Sequence, residues 1–153
     1  MKKSLLLSLL AVAAITFSCK DDEVVVNADK IYQVSTTLSG ANEVPAVVTS
    51  ATGSTTGTYN QTTKILSVTT TYTGLTPTMG HIHTQTVPTN DFRSGGVTFG
   101  FPATGLASPI VFTSTITPLT AAQEANLFNG IMYVNIHTAA NPGGEIRGNL
   151  SVR

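Results

Sequence analysis

The chain of 153 residues carries one cysteine, no tryptophan, three histidines and only 10% charged residues, and each scarcity removes a class of explanation. A single thiol closes no intramolecular disulfide, so the fold rests on burial and hydrogen bonding. Basic residues of the main body stand singly at Lys30, Lys64, Arg93, Arg147 and Arg153, leaving no stripe to neutralise a run of phosphates. Nucleic acid is therefore excluded as a partner. The longest apolar run, Leu5 to Phe17, reaches roughly 20 Å as a helix, short of the roughly 30 Å hydrocarbon core of a bilayer, and so does not span a membrane. No Gly-x-Ser-x-Gly is present, and the body of the chain has only Glu43, Asp91, Glu124 and Glu145 as carboxylates, in segments with no sign of a cleft. No catalytic constellation stands out.

What is present begins with an export signal. Lys2 and Lys3 precede the apolar run and small Ser18 follows it, so residues 1–18 read as a leader. Thr16-Phe17-Ser18-Cys19 resembles a bacterial lipobox, with Thr16 where leucine is usual. That resemblance implies a diacylglycerol thioether on Cys19 and acylation, such as palmitate, of the new amine. Lys20-Asp21-Asp22-Glu23 looks like the signal that directs bacterial lipoproteins to the outer face of the outer membrane. The expectation is a protein held at the cell surface through the lipid on Cys19, since two or three acyl chains anchor lastingly where one does not. Residues 19–29 are then an acidic tether and residues 30–153 one domain. Without the leader, six basic and eight acidic residues remain, a net charge of about minus two.

Threonine supplies 26 residues, stiff at χ1 and suited to a pleated surface. It alternates with Val, Ile, Leu and Tyr at period two, which predicts strands with hydroxyl-coated outer faces, not a disordered stalk. Ile31 to Leu38 reads as a strand, Ser39 to Asn42 as a turn, and Val44-Pro45 as the start of an edge piece. Thr52 to Tyr59 pairs with Ile65 to Tyr72 across Asn60-Gln61-Thr62-Thr63. Gly74 to Gly80 reads as a turn, followed by strands around His81-Ile82-His83, Val97 to Phe101 and Ile110 to Ile116. Thr120 and Gln123 form a capping box that opens a short helix ending near Asn129-Gly130. Strands from Ile131 to His137 and Glu145 to Val152 close the chain. This pattern predicts an all-β antiparallel sandwich or barrel with one short helix. The expected core is Tyr32, Val34, Leu38, Leu66, Val68, Ile82, Ile110, Phe112, Met132, Val134, Ile136, Ile146, Leu150 and Val152.

Three segments, in order, carry a family resemblance: Leu38-Ser39-Gly40-Ala41-Asn42-Glu43-Val44-Pro45, Gly80-His81-Ile82-His83, and Tyr133-Val134-Asn135-Ile136-His137-Thr138 leading into Gly144-Glu145-Ile146-Arg147-Gly148-Asn149-Leu150. They resemble the chordin (CHRD) domain over residues 31 to 153, departing at Asn149 and Gly80. The resemblance implies an immunoglobulin-like sandwich similar to copper/zinc superoxide dismutase, and a binding or adhesion module for an extracellular protein or glycan; a shared fold carries no activity with it.

His81, His83 and His137 are all the histidines of the chain. Residues two apart on a strand share a side, so His81 and His83 can converge on one ion, and His137 joins them if its strand lies alongside. Copper or zinc suits such a set, with Glu43 or Glu145 as a fourth ligand. The alternative is a polar network in which the imidazoles bond neighbouring hydroxyls and His137 pins the turn Asn141-Pro142-Gly143-Gly144. Three histidines are too few for a dinuclear dismutase site. Arg147 either pairs with Glu145 on its own strand or holds Glu43 across the sandwich, a device for fold specificity. The loops Asn42 to Ser50 and Pro88 to Gly96 are the expected contact surface.

Overall fold

The computed structural model describes residues 29–86 and 94–153. The expected leader, Cys19, most of the tether, and Pro88 to Arg93 of the second loop lie outside these residues. The described chain is all-β and antiparallel, with nine strands and one short helix. The strands are β1 (Ile31–Ser39), β2 (Thr52–Asn60), β3 (Ile65–Thr73), β4 (Pro77–Gln85), β5 (Gly95–Gly100), β6 (Ile110–Thr113), β7 (Met132–Thr138), β8 (Ile146–Asn149) and β9 (Ser151–Val152); helix α1 covers Ala121–Phe128. They form one curled sheet in the order β5-β4-β7-β8-β1-β2-β3-β6, with β9 also on β1. No described helix is long and apolar enough to cross a membrane.

The β2–β3 hairpin keeps the expected register, Asn60 opposite Ile65 and Thr52 opposite Thr73. Its turn is built by Asn60, whose Oδ1 accepts the backbone N–H groups of Thr62 and Thr63 at 2.9 and 3.0 Å, with Lys64 at φ 60°. Alternation then decides the faces. Val34, Leu38, Leu66, Val68 and Ile110 point inward. The outer face of β2 and β3 presents hydroxyl pairs such as Ser54–Thr71 and Thr52–Thr73. One threonine pair breaks this division: Thr55 and Thr70 face the core, fully buried, and satisfy each other at 2.8 Å.

All fourteen expected core residues belong to the core or pack against it, joined by Ala51, Tyr59, Phe99, Phe101, Leu119 and Leu127. Each such aliphatic side chain contributes about 1.5–3 kcal/mol when fully buried. Leu127 anchors α1 to the sheet, and the Thr120–Gln123 capping box opens that helix with both reciprocal bonds in place. Lys64 ties it to the β2–β3 turn through a 2.7 Å ion pair with Glu124.

Four local readings are corrected. Val44-Pro45 begins no strand, because the Gly40 carbonyl accepts both Glu43 N–H and Val47 N–H and folds the segment back on itself. Strand β4 starts at Pro77 rather than after Gly80, the irregularity at Thr78 absorbing the extra residue. Strand β6 stops at Thr113, because Ser114 turns inward to bond both backbone groups of Leu66. The last strand is two, interrupted at buried Leu150: β8 lies between β7 and β1 and pairs with both, and β9 continues along β1.

Candidate functional site

Strand β7 is buried on both faces. Its even-numbered residues Met132, Val134 and Ile136 enter the core. Its odd-numbered residues Tyr133, Asn135 and His137 lie on the other side, with His81 and His83 of β4 and Arg147 of β8 on the same face. Register sets the rows: His83 opposite Tyr133, His81 opposite Asn135, and Asn135 opposite Arg147. His137 faces Met79, one step along from His81.

The three imidazoles meet. Their candidate ligand nitrogens lie within 4.8 Å of one another. His81 Nδ1 and His137 Nε2 share a hydrogen bond of 2.9 Å. His137 Nδ1 donates to the Pro142 carbonyl at 3.0 Å, so the expected pinning of the 141–144 turn is present. His83 Nδ1 donates to the Gly95 carbonyl at 3.0 Å, not to a hydroxyl. Its Nε2 is buried without a partner. His83 and His137 are only 8% and 6% exposed, whereas His81 is half-buried and opens the cluster to solvent. Burial lowers all three imidazoles below their ordinary value, assisted at His81 by the neighbouring His137. They are neutral at pH 7.

The local sequence explains these positions. A bulge in the β4–β5 pairing at Ile82/His83 lets Val97 sit opposite His83 and brings the Gly95 carbonyl within reach. Gly95 admits no side chain, since a Cβ there would stand 1.7 Å from the Thr84 carbonyl oxygen. Its N–H donates to the Tyr133 hydroxyl at 3.1 Å, and the Tyr133 ring stacks on His83 with centroids 4.9 Å apart. Arg147, 1% exposed, places its guanidinium carbon 3.4 Å from the centre of the Tyr133 ring. His83 is therefore backed by an aromatic ring and that ring by a cation.

Beside this stack lies a second polar group. Glu43 follows the 3-10 turn at residues 40–42, and Asn42 donates to the Arg147 carbonyl at 3.0 Å, drawing the turn across β8. Asn135 Nδ2 donates to Glu43 Oε2 at 3.4 Å, while Glu43 Oε1 and Asn135 Oδ1 are buried without partners. Burial pushes the Glu43 carboxyl up to about 7, with the Arg147 charge and the Asn135 bond pulling the other way. The Arg147 charge acts on the Glu43 carboxyl.

Glu145 is held by other partners. It precedes β8, and its Oε2 accepts from Thr138 Oγ1 and Asn141 Nδ2 in the β7–β8 turn. Bonds from Thr49, Asn141 and Thr138 hold its carboxyl below the usual range. Among the described residues the candidate ligand cluster is the three histidines, with neither Glu43 nor Glu145 in it. The sequence assigns no individual role to Tyr133 or Asn135, and it marks Gly95 and Pro142 only as members of a contact loop and of the turn that His137 pins. Polar and aromatic residues alternating with aliphatic ones along β7 are the signal that a second, polar face is also covered.

Compared with known proteins, the chain matches the family model of the CHRD domain over residues 34–150. No curated protein matches it. The matched span begins in β1, ends at Leu150 between β8 and β9, and contains the histidines, Glu43, Asn135 and Arg147. With that span covering most of the chain and every described element from β2 to β8, the protein belongs to the CHRD family.

Proposed function

We propose that the protein is a lipid-anchored surface module of the bacterial outer membrane, whose CHRD domain binds an extracellular protein or glycan. The family supports a binding-type module. One observation carries the anchoring: the sole cysteine falls directly after a basic, apolar and small-residue leader, where a lipobox places it. The acidic tether that follows gives the domain reach from the lipid surface. On the domain, the segment between β1 and β2 exposes Val44 and Val48 on a rigid sheet, the setting in which loops carry recognition.

Metabolic labelling with palmitate tests the anchor. The full chain takes up label and partitions into detergent, Cys19→Ala loses both, and protease added to intact cells removes the domain. Equal labelling of the wild type and Cys19→Ala, or none in either, sinks the reading.

A further inference from the structure

We infer that His81, His83 and His137 form a mononuclear site for one late transition-metal ion, zinc or copper, with an open fourth position. The carrying observation is His83. A buried imidazole nitrogen left unpaired loses the bond it would make to water, so its placement calls for a partner. Because Nδ1 donates to the Gly95 carbonyl, Nε2 bears the lone pair. That lone pair is an acceptor or a metal ligand, and its neighbours are the two other imidazoles.

His137 repeats the device. Its Nδ1 donates to Pro142, so its lone pair also sits on Nε2, aimed at His81 Nδ1. Backbone carbonyls thus fix the tautomer of two rings and turn both Nε2 atoms toward a common point, which is how metal-ligating histidines are oriented. A zinc–nitrogen bond of 2.0–2.1 Å sets tetrahedral ligand nitrogens about 3.3 Å apart. The His81–His137 separation of 2.9 Å is close to this, and the largest separation of 4.8 Å requires a side chain to swing inward. Half-buried His81 is the ring with room to do so. If it ligates through Nδ1, the proton now shared with His137 moves to its own solvent-facing Nε2, with no change in net charge.

Three imidazoles, with no thiolate or carboxylate beside them among the described residues, suit zinc or copper and not magnesium or calcium. The Arg147 guanidinium behind Tyr133 opposes a bare dication and favours one whose fourth ligand is an anion such as hydroxide. A three-histidine set with one position left open is the ligand pattern of a reactive centre more than of a closed structural one.

The test uses the full chain in detergent without an affinity histidine tag, stripped with EDTA and then exposed separately to zinc, copper(II), magnesium and calcium. The chain has no other histidine, so imidazole ligation reads this cluster alone. We expect one equivalent of zinc or copper after dialysis and none of magnesium or calcium. His83→Ala and His137→Ala should each weaken binding at least tenfold, and Tyr133→Phe, which frees the Gly95 N–H, should weaken it about tenfold. Copper(II) should show nitrogen hyperfine structure in its electron paramagnetic resonance spectrum, reduced in His81→Ala. Substoichiometric metal in the wild type, or equal binding by His83→Ala, overturns the site. Should the alanine variants unfold, ring-nitrogen NMR of the wild type decides: the His83 Nε2 resonance shifts on adding zinc, and its failure to move also overturns the inference.

Discussion

Replacing Glu43 by glutamine isolates the electrostatics of the buried polar face, because the amide keeps the shape and removes the ionisation. Glu43 is 7% exposed and its carboxyl is raised from 4.5 to about 7. Below pH 4.5 it is protonated in both folded and unfolded chains and costs nothing. Above pH 7 it is ionised in both, and the folded state bears the whole penalty. Stability from this group therefore falls as pH rises through 4.5 to 7. The full difference corresponds to about 3 kcal/mol, and residual solvation of the carboxylate trims the change between pH 5 and pH 8 to about 1.5–2 kcal/mol. For a domain of this size that is about 6–8 °C in Tm. The histidines act in the opposite direction, since their lowered values make stability rise with pH up to about 6.5. Only the difference between variant and wild type at each pH isolates Glu43, whose facing charges Arg147 and Glu145 are retained in both. Thermal unfolding followed by circular dichroism, with EDTA throughout, should show Glu43→Gln gaining about 6–8 °C on the wild type between pH 5 and pH 8. The new amide N–H also has a waiting acceptor in Asn135 Oδ1. A constant difference across that range would refute the reasoning, by showing that Glu43 ionises as an exposed carboxyl does.

Two further perturbations probe the same packing. Gly144 sits at φ 140°, and a Cβ there would stand 2.6 Å from both Asn135 side-chain polar atoms and Glu43 Oε1. Gly144→Ala should cost about 2–4 kcal/mol, read from the urea midpoint, and a cost below about 0.5 would mean the polar face is loosely packed. Thr55→Val should cost about 1–2 kcal/mol by stranding the Thr70 hydroxyl in the core, while Thr55→Val with Thr70→Val should cost less than the sum of the single changes. Additive costs would mean the two hydroxyls are satisfied independently.

How far the residues announced the structure depended on whether the deciding contact was local. The β2–β3 hairpin was legible because Asn60 builds its own turn and period-two alternation flanks it; the helix was legible because Thr120 and Gln123 cap each other within four residues. The pairing of His81 with His83 follows from the same alternation. The convergence of His137 with them follows only from the β4–β7 register, which depends on the irregularity at Thr78, and nothing near Thr78 in the chain signals it. The groups that orient the imidazoles are harder still to read, since a carbonyl at Gly95 and another at Pro142 leave no trace in side-chain type. Glu43 and Glu145 show the limit most sharply. Both are carboxylates close to a family motif, yet one is drawn beneath Arg147 because Asn42 ties its turn to β8, while the other is claimed by Thr138 and Asn141 of its own turn. Among the described residues, their absence from the histidine cluster leaves it without a carboxylate, and so the ligand set depends on which hydrogen bonds two carboxylates make elsewhere.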